Sequence, residues 1–293
     1  WTEWKGTLLW ELYVKTHTIL TRGIAEGVDD AARAAEVRST LVRELAAEFP
    51  GSTIQAHLDK APVRYLLTTT AARVAQHLRL IQQVEAGSEV ALQWAAYPMA
   101  GHAEVAVCAY GRPGRFARIV GTLTANGMNI LSAAIYTLAD GLVIRHFQVD
   151  DGRGSAIGDQ AAWARFEADL ERVLRDAVDV RELILARRRD VLRRPAYKGA
   201  APPPPRVEFD NVVSETHTVL DVRTQDRLGL LYVISSVLSD VGLDLSLAKI
   251  TTEADQAVDV FYVTERDGSK VPEGPRMEEI RRRLTEAISE GIG

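Results

Sequence analysis

The 293-residue sequence predicts an α+β protein: an N-terminal helical region followed by two copies of one β-α-β-β-α unit. Three observations predict it. RPGRFARIVGTLTANGMNI at 112–130 and RLGLLYVISSVLSDVGLDL at 227–245 repeat one pattern. Strand-like alternation is missing before Glu89 and frequent after it. PAYKGAAPPPPR at 195–206 separates the two copies as an extended, semi-rigid linker.

In the helical region, Leu8, Leu12, Tyr13, Ile19 and Leu20 keep near-helical spacing, as do Val37, Leu41, Leu45 and Phe49. FPGS at 49–52 and KAPVRY at 60–65 interrupt the pattern. A further helix is predicted over Thr68 to Val84, with Val74, Leu78 and Ile81 on one face, and EAGS at 85–88 ends it.

The first copy then opens with a strand, GHAEVAVCAY. Phe116, Ile119, Val120 and Leu123 give the next helix a single apolar stripe, and Gly127 caps it. MNILSAAIYTL and LVIRHFQVDD are strands joined by the hairpin turn ADG, and a helix follows over about 159–177. The second copy repeats this order: ETHTVLDVRTQ as strand, a helix from Asp226 to Gly242, LDLSLAKITT and AVDVFYVTE as strands, and a last helix near Met277 to Ile288. Gly114 and Gly229 stand 115 positions apart, as do Gly127 and Gly242; at Phe147 and Phe261 the offset falls by one, within the hairpin. This is the order of a ferredoxin-like βαββαβ unit lacking its last strand. RVEFDN at 206–211 is the expected fourth strand of the first copy, and no candidate follows the last helix of the second. The expected segments are 1–100 helical, 101–194 first domain, 195–211 linker with an added strand, and 212–293 second domain.

Composition narrows the function. Hydrophobic residues make up 46% and charged residues 26%, as in ordinary globular proteins. A net charge of -5 and a pI near 5.8 argue against non-specific binding to nucleic acid or membrane. The lone Cys108 excludes an intrachain disulfide and lies in an apolar strand, as a small buried hydrophobe would. No apolar run approaches the roughly 20 residues of a membrane span, and no signal peptide is visible, so a cytoplasmic location is expected. The chain opens on Trp1 and is expected to be a fragment of a longer one.

Catalytic patterns are missing. No Asp-x-Asp pair that could hold Mg²⁺ on a triphosphate occurs, and RGSAIGDQ at 153–160 has Gly-Ser without one. None of the six histidines precedes an Asp, and none has metal-ligand spacing. No catalytic residue, metal ligand or cofactor site is expected in this chain.

Where each copy's first strand meets a helix across a glycine, backbone N–H groups suit an anion such as a carboxylate. Gly114 and Gly229 would let a ligand approach, or would simply set the turn. Asp226 could act on a ligand or as an N-cap. Asn129 and Asp244 start the second strands and are polar among apolar neighbours; Asp244 could accept from an ammonium group. An amino acid zwitterion needs that mixture.

A strand ending in Asp-Arg-x-Gly-Leu-Leu, an amphipathic helix and Gly-Leu-Asp-Leu resembles the ACT domain, a small-molecule sensor. Two such copies, with DNVVSETHTVLDVRTQDRLGLL joining them, are similar to the C-terminal part of the bifunctional PII uridylyltransferase/uridylyl-removing family; so are WTEWKGTLLWELYVKT and APVRYLLTTTAARVAQHLRL, which resemble its helical region after the HD hydrolase domain. The first copy has Gly111 where that family usually has Asp, and the second Leu228 where Pro is usual. The resemblance implies a regulatory module that binds L-glutamine, ACT–ACT contacts within the chain or in a homo-oligomer, and a PII protein as partner of the full-length enzyme, which would use Mg²⁺. It places the ligand at Arg112, Pro113, Gly114, Asn129 and Ile130 in the first copy and at Asp226, Arg227, Gly229, Asp244 and Leu245 in the second. The alternative is a tandem ACT regulator of another enzyme, sensing a different small ligand.

Overall fold

A computed structural model describes residues 26–191, 204–253 and 256–292. The helix expected around Leu8–Leu20 and most of the proline-rich linker lie outside these residues. The chain forms two compact units, residues 1–78 and 79–293. Among the described residues no helix is long and apolar enough to cross a membrane.

The described part of the first unit is helical: α1 (Glu26–Leu45), α2 (Gly51–Lys60), α3 (Val63–Thr68) and the first half of α4 (Ala71–Glu85). Both interruptions read in the sequence are proline caps. Pro50 precedes α2 and Pro62 precedes α3, where a missing N–H costs no helical bond. KAPVRY is therefore a cap followed by a short helix. Ile54, Leu58, Leu66 and Val74 are buried. So is Tyr65, whose hydroxyl lies 2.9 Å from both His57 Nε2 and His77 Nδ1. These two histidines sit inside the helical core.

The second unit carries both repeats. The first comprises β1 (Ala91–Tyr97), β2 (His102–Tyr110), α5 (Arg115–Ala125), β3 (Asn129–Thr137), β4 (Leu142–Asp150) and α6 (Gln160–Leu174). Helix α7 (Val180–Val191) follows. The second repeat comprises β5 (Arg206–Asp210), β6 (Thr218–Gln225), α8 (Leu230–Asp240), β7 (Asp244–Lys249), the short β8 (Thr252–Glu253), β9 (Gln256–Thr264) and α9 (Pro275–Glu290).

The fourth strand corrects the sequence-based expectation. RVEFD does not complete the first repeat: β5 pairs antiparallel with β6, Arg206 opposite Arg223 through Asp210 opposite Val219, and so edges the second repeat. The first repeat is edged by β1, paired antiparallel with β2, within residues 1–100 expected to be helical. Local turns decide this. Pro98–Ala100 forms one 3₁₀ turn closed by Gly101 at φ 73°, which folds β1 directly onto β2. Asp210 accepts the N–H groups of Val212 (2.6 Å) and Val213 (2.9 Å), which turns the chain from β5 toward β6. Apart from the two-residue β8, each repeat is therefore ββαββα. Its edge strand takes the position, beside the first core strand, that the last strand of a βαββαβ unit would fill, but reaches it from the front.

The two sheets are one. Strand β3 pairs with β7, Ser132 opposite Lys249, Ala133 opposite Ala248 and Ala134 opposite Leu247. The spatial order is β1-β2-β4-β3-β7-β9-β6-β5, with β8 beside β9. Small residues at the seam suit the helices above it: Gly121 of α5 lies so close to Val180 and Tyr232 that a Cβ would meet their side chains within 3.0 Å. A single apolar cluster runs through both repeats and includes Ile119, Leu123 and Phe147 from one and Ile234, Leu238 and Phe261 from the other. The predicted stripe of α5 is the buried one: Ile119, Val120 and Leu123 are fully covered, and Phe116 packs partly against the same cluster. Cys108 is buried, as its apolar strand implied, and burial pushes its thiol up to about 12, far from a reactive thiolate at neutral pH.

Gly114 and Gly229 are the N-caps of α5 and α8, in left-handed conformation at φ 73° and 82°. Here the glycine is required by the backbone. The two differ in room: a Cβ on Gly114 meets nothing within 4 Å, whereas one on Gly229 would run into Ile292. Gly114→Ala is therefore expected to cost about 1–2 kcal/mol, the left-handed penalty alone, and Gly229→Ala distinctly more. Urea unfolding of the two variants checks the order; equal losses would refute it.

Candidate ligand cavities at the repeat interface

Edge-to-edge pairing of β3 and β7 brings the strand-to-helix turn of each repeat against the second-strand start of the other. Two cavities result. The first, of about 280 Å³, is lined by Arg112, Pro113 and Gly114 from the first repeat and by Ser239, Asp244 and Leu245 from the second. The second, of about 480 Å³, is lined by Asp226, Arg227 and Gly229 from the second repeat and by Asn129 and Ile130 from the first. All ten candidate residues thus line a cavity, but the grouping differs from that read in the sequence. Gly114 faces Asp244 and Gly229 faces Asn129, each across the seam and not within its own copy.

Local geometry refines their roles. The N–H of Gly114 already donates to Ser239 Oγ at 2.7 Å, from the other repeat. The N-cap position of α8 is held by Gly229, three residues after Asp226. Asn129 donates through Nδ2 to Asp150 Oδ1 at 2.9 Å, and the same oxygen accepts the Gly152 N–H at 2.8 Å. Asn129 is thereby oriented at the mouth of the second cavity. Burial pushes the Asp244 carboxyl up, and nearby Arg266 pulls it back down. A Cβ on Gly127 would come within 2.6 Å of the Arg187 guanidinium, so this glycine lets Arg187 of α7 reach the second cavity.

Sequence reasoning missed the residues on the cavity floors. Arg145, on β4, lines the first cavity and is 4% exposed; Asp259, on β9, lines the second and is 1% exposed. They hold equivalent places in the two repeats, two positions before the equivalent Phe147 and Phe261. Each points to the helix-covered side of the sheet, opposite Val107 and Val222 respectively. Burial pushes the Asp259 carboxyl up to about 7, helped by Asp226 and Asp221 and opposed by a hydrogen bond from the Thr251 backbone. Burial, with Arg115 as a like charge, lowers Arg145 to about 10. The signal was present: a charge at an inward position of VIRHF and of AVDVF breaks an otherwise apolar alternation.

Comparison with known proteins agrees with this architecture. Residues 206–292 match the family described as ACR9-like, ACT-like domain. Along its whole length the chain is 33% identical to the bifunctional uridylyltransferase/uridylyl-removing enzyme of Rhodospirillum rubrum, of which it covers 31%. Over 99% of its length it is 33% identical to the enzyme of that name from Gluconobacter oxydans and 31% identical to that of Azospirillum brasilense, covering 30% and 31% of them. The chain spans about three tenths of these relatives. Throughout its own length it is therefore similar to one part of the bifunctional uridylyltransferase/uridylyl-removing enzymes, and its residues 206–292 match an ACT-like domain.

Proposed function

We propose that this chain is the glutamine-sensing regulatory part of a PII uridylyltransferase/uridylyl-removing enzyme, acting in the cytoplasm. The observation that carries the reading is that each cavity is built from both repeats, so a ligand there clamps one repeat to the other. Clamping a pair of domains is a differential contact of the kind that biases one arrangement of an enzyme over another. Within the larger enzyme, occupancy would favour removal of UMP from PII over its addition.

The Asp259 cavity is the better host for the amino acid. A zwitterion needs an acceptor for its ammonium group and a cation for its carboxylate. Asp259 and Asp226 supply the first, Arg227 and Arg187 the second, and Asn129 is placed for a side-chain amide. An ammonium group on Asp259 would favour its ionised form, so binding should release a proton below about pH 7 and tighten as pH rises toward that value.

The test is calorimetric titration of L-glutamine into wild type and into Asp259→Asn, Asn129→Ala and Asp244→Ala at pH 8. A charged hydrogen bond contributes roughly 1.5–3 kcal/mol, so Asp259→Asn should weaken binding about tenfold or more. Asn129→Ala should weaken it less, and Asp244→Ala should leave it unchanged. No heat with wild type would end the glutamine reading. Unchanged binding in Asp259→Asn and Asn129→Ala would move the site. The chain alone is also expected neither to add UMP to PII nor to remove it; turnover above a buffer blank with Mg²⁺ or Mn²⁺ would contradict this.

A further inference from the structure

The two cavities occupy equivalent places, yet their floors carry opposite charges. Arg145 is 4% exposed and has no ion-pair partner among the described residues. Its Nε has no hydrogen-bond partner, and Nη1 makes only a 3.3 Å bond to the Val143 carbonyl on its own strand. The neighbouring charge is Arg115, of the same sign and already held by Glu89 and by the Tyr110 carbonyl. Cys108, also nearby, keeps its proton and offers no counter-charge. A buried cation without a partner is unfavourable, and an anion that supplies the partner recovers that cost.

The rest of the cavity leaves this charge uncompensated. At the mouth, Asp244 is offset by Arg266. Arg112 lies 3.4 Å from Glu89, which also holds Arg115. The Gly114 N–H is committed to Ser239, so the guanidinium and not the helix N-terminus is the available donor. At about 280 Å³, just under the usual range for drug-sized ligands, the space suits a small molecule.

We propose that the Arg145 cavity is a separate site for a small carboxylate anion, distinct in ligand class from the Asp259 cavity. A planar guanidinium presents two parallel N–H groups that match a carboxylate. Arg145 offers an unused Nε for such a pair. A zwitterion is a poorer fit there, because its ammonium group would lie over a cation. The proposal does not require glutamine in the other cavity.

Succinate is the probe, titrated calorimetrically into the intact chain at pH 8, with L-glutamine run in parallel. Succinate is expected to bind wild type and Asp259→Asn alike. Arg145→Met should bind it at least tenfold more weakly, while melting no lower than wild type because a buried charge has been removed. Arg145→Lys, which keeps charge but loses the planar fork, should fall between the two and guards against misfolding of the Met variant. Absence of succinate binding to wild type, or equal binding by all the variants, overturns the proposal. So does loss of glutamine binding in Arg145→Met, since that would place the amino acid in this cavity. Arg145-dependent succinate binding without any glutamine binding upholds the anion site and removes only the glutamine reading.

Discussion

Asp259→Asn is expected to stabilise the chain at pH 8 by up to about 4 kcal/mol, and at pH 4 by almost nothing. In the unfolded chain this carboxyl loses its proton near pH 4; in the fold it holds the proton until about pH 7. Between these values the native state binds more protons than the unfolded state, so the contribution of Asp259 to stability falls as pH rises. Above about pH 7 the loss is complete and constant. Asparagine has no proton to lose and escapes the decline, while keeping nearly the same shape under Val222 and the helices. Urea unfolding of wild type and variant at pH 4, 5.5, 7 and 8 should show a gap that opens across this window and then levels. A constant gap, or one that closes with rising pH, would contradict the burial argument. The same variant is expected to bind glutamine worse, so stability and sensing should move in opposite directions, the usual mark of a charge kept for binding.

Phe261→Ala is expected to cost about 3–5 kcal/mol and to loosen the first repeat together with the second. Phe261 is fully buried, and its cluster continues without a break to Phe147 and Trp163 of the first repeat. The first repeat carries a convenient reporter, the stacked pair Trp94–Trp163 with ring centroids 5.0 Å apart. The second repeat, 206–292, has no Trp. Near-ultraviolet circular dichroism of that pair and far-ultraviolet dichroism of the whole chain should shift to the same lower denaturant concentration in Phe261→Ala. If the tryptophan signal kept its wild-type midpoint, the repeats would be folding independently and the shared core would be the wrong description.

Much of this fold was legible because the sequence states it twice. The apolar stripe of α5, the Gly127 and Gly242 stops and the ADG hairpin each rest on local chemistry, and the structure keeps them: Gly141 takes φ 83° and Asp140 accepts the Leu142 N–H at 3.1 Å. Strand partners were harder. ALQWAAY and RVEFD are short edge strands, and nothing within five or seven residues says which neighbour they join; turns at Pro98–Ala100 and Asp210 decide it. The turns marked residues that line the two cavities, but not how they group, because Gly114 meets Asp244 only through pairing of β3 with β7. Arg145 and Asp259 were overlooked for a different reason. Each sits singly in a strand that otherwise reads as core, and only the fold reveals the cavity that each one lines.

The cross-seam construction of the cavities also bears on why the unit is doubled in one polypeptide. Were two identical copies of a single repeat to associate through the same seam, a two-fold axis would make both cavities copies of each other, and any residue chosen for one would be imposed on the other. Joining the copies covalently abolishes that constraint. Arginine at one floor and aspartate at its counterpart is an arrangement open only to an asymmetric chain, so gene duplication here permits divergence of the two chambers as well as repetition of the scaffold.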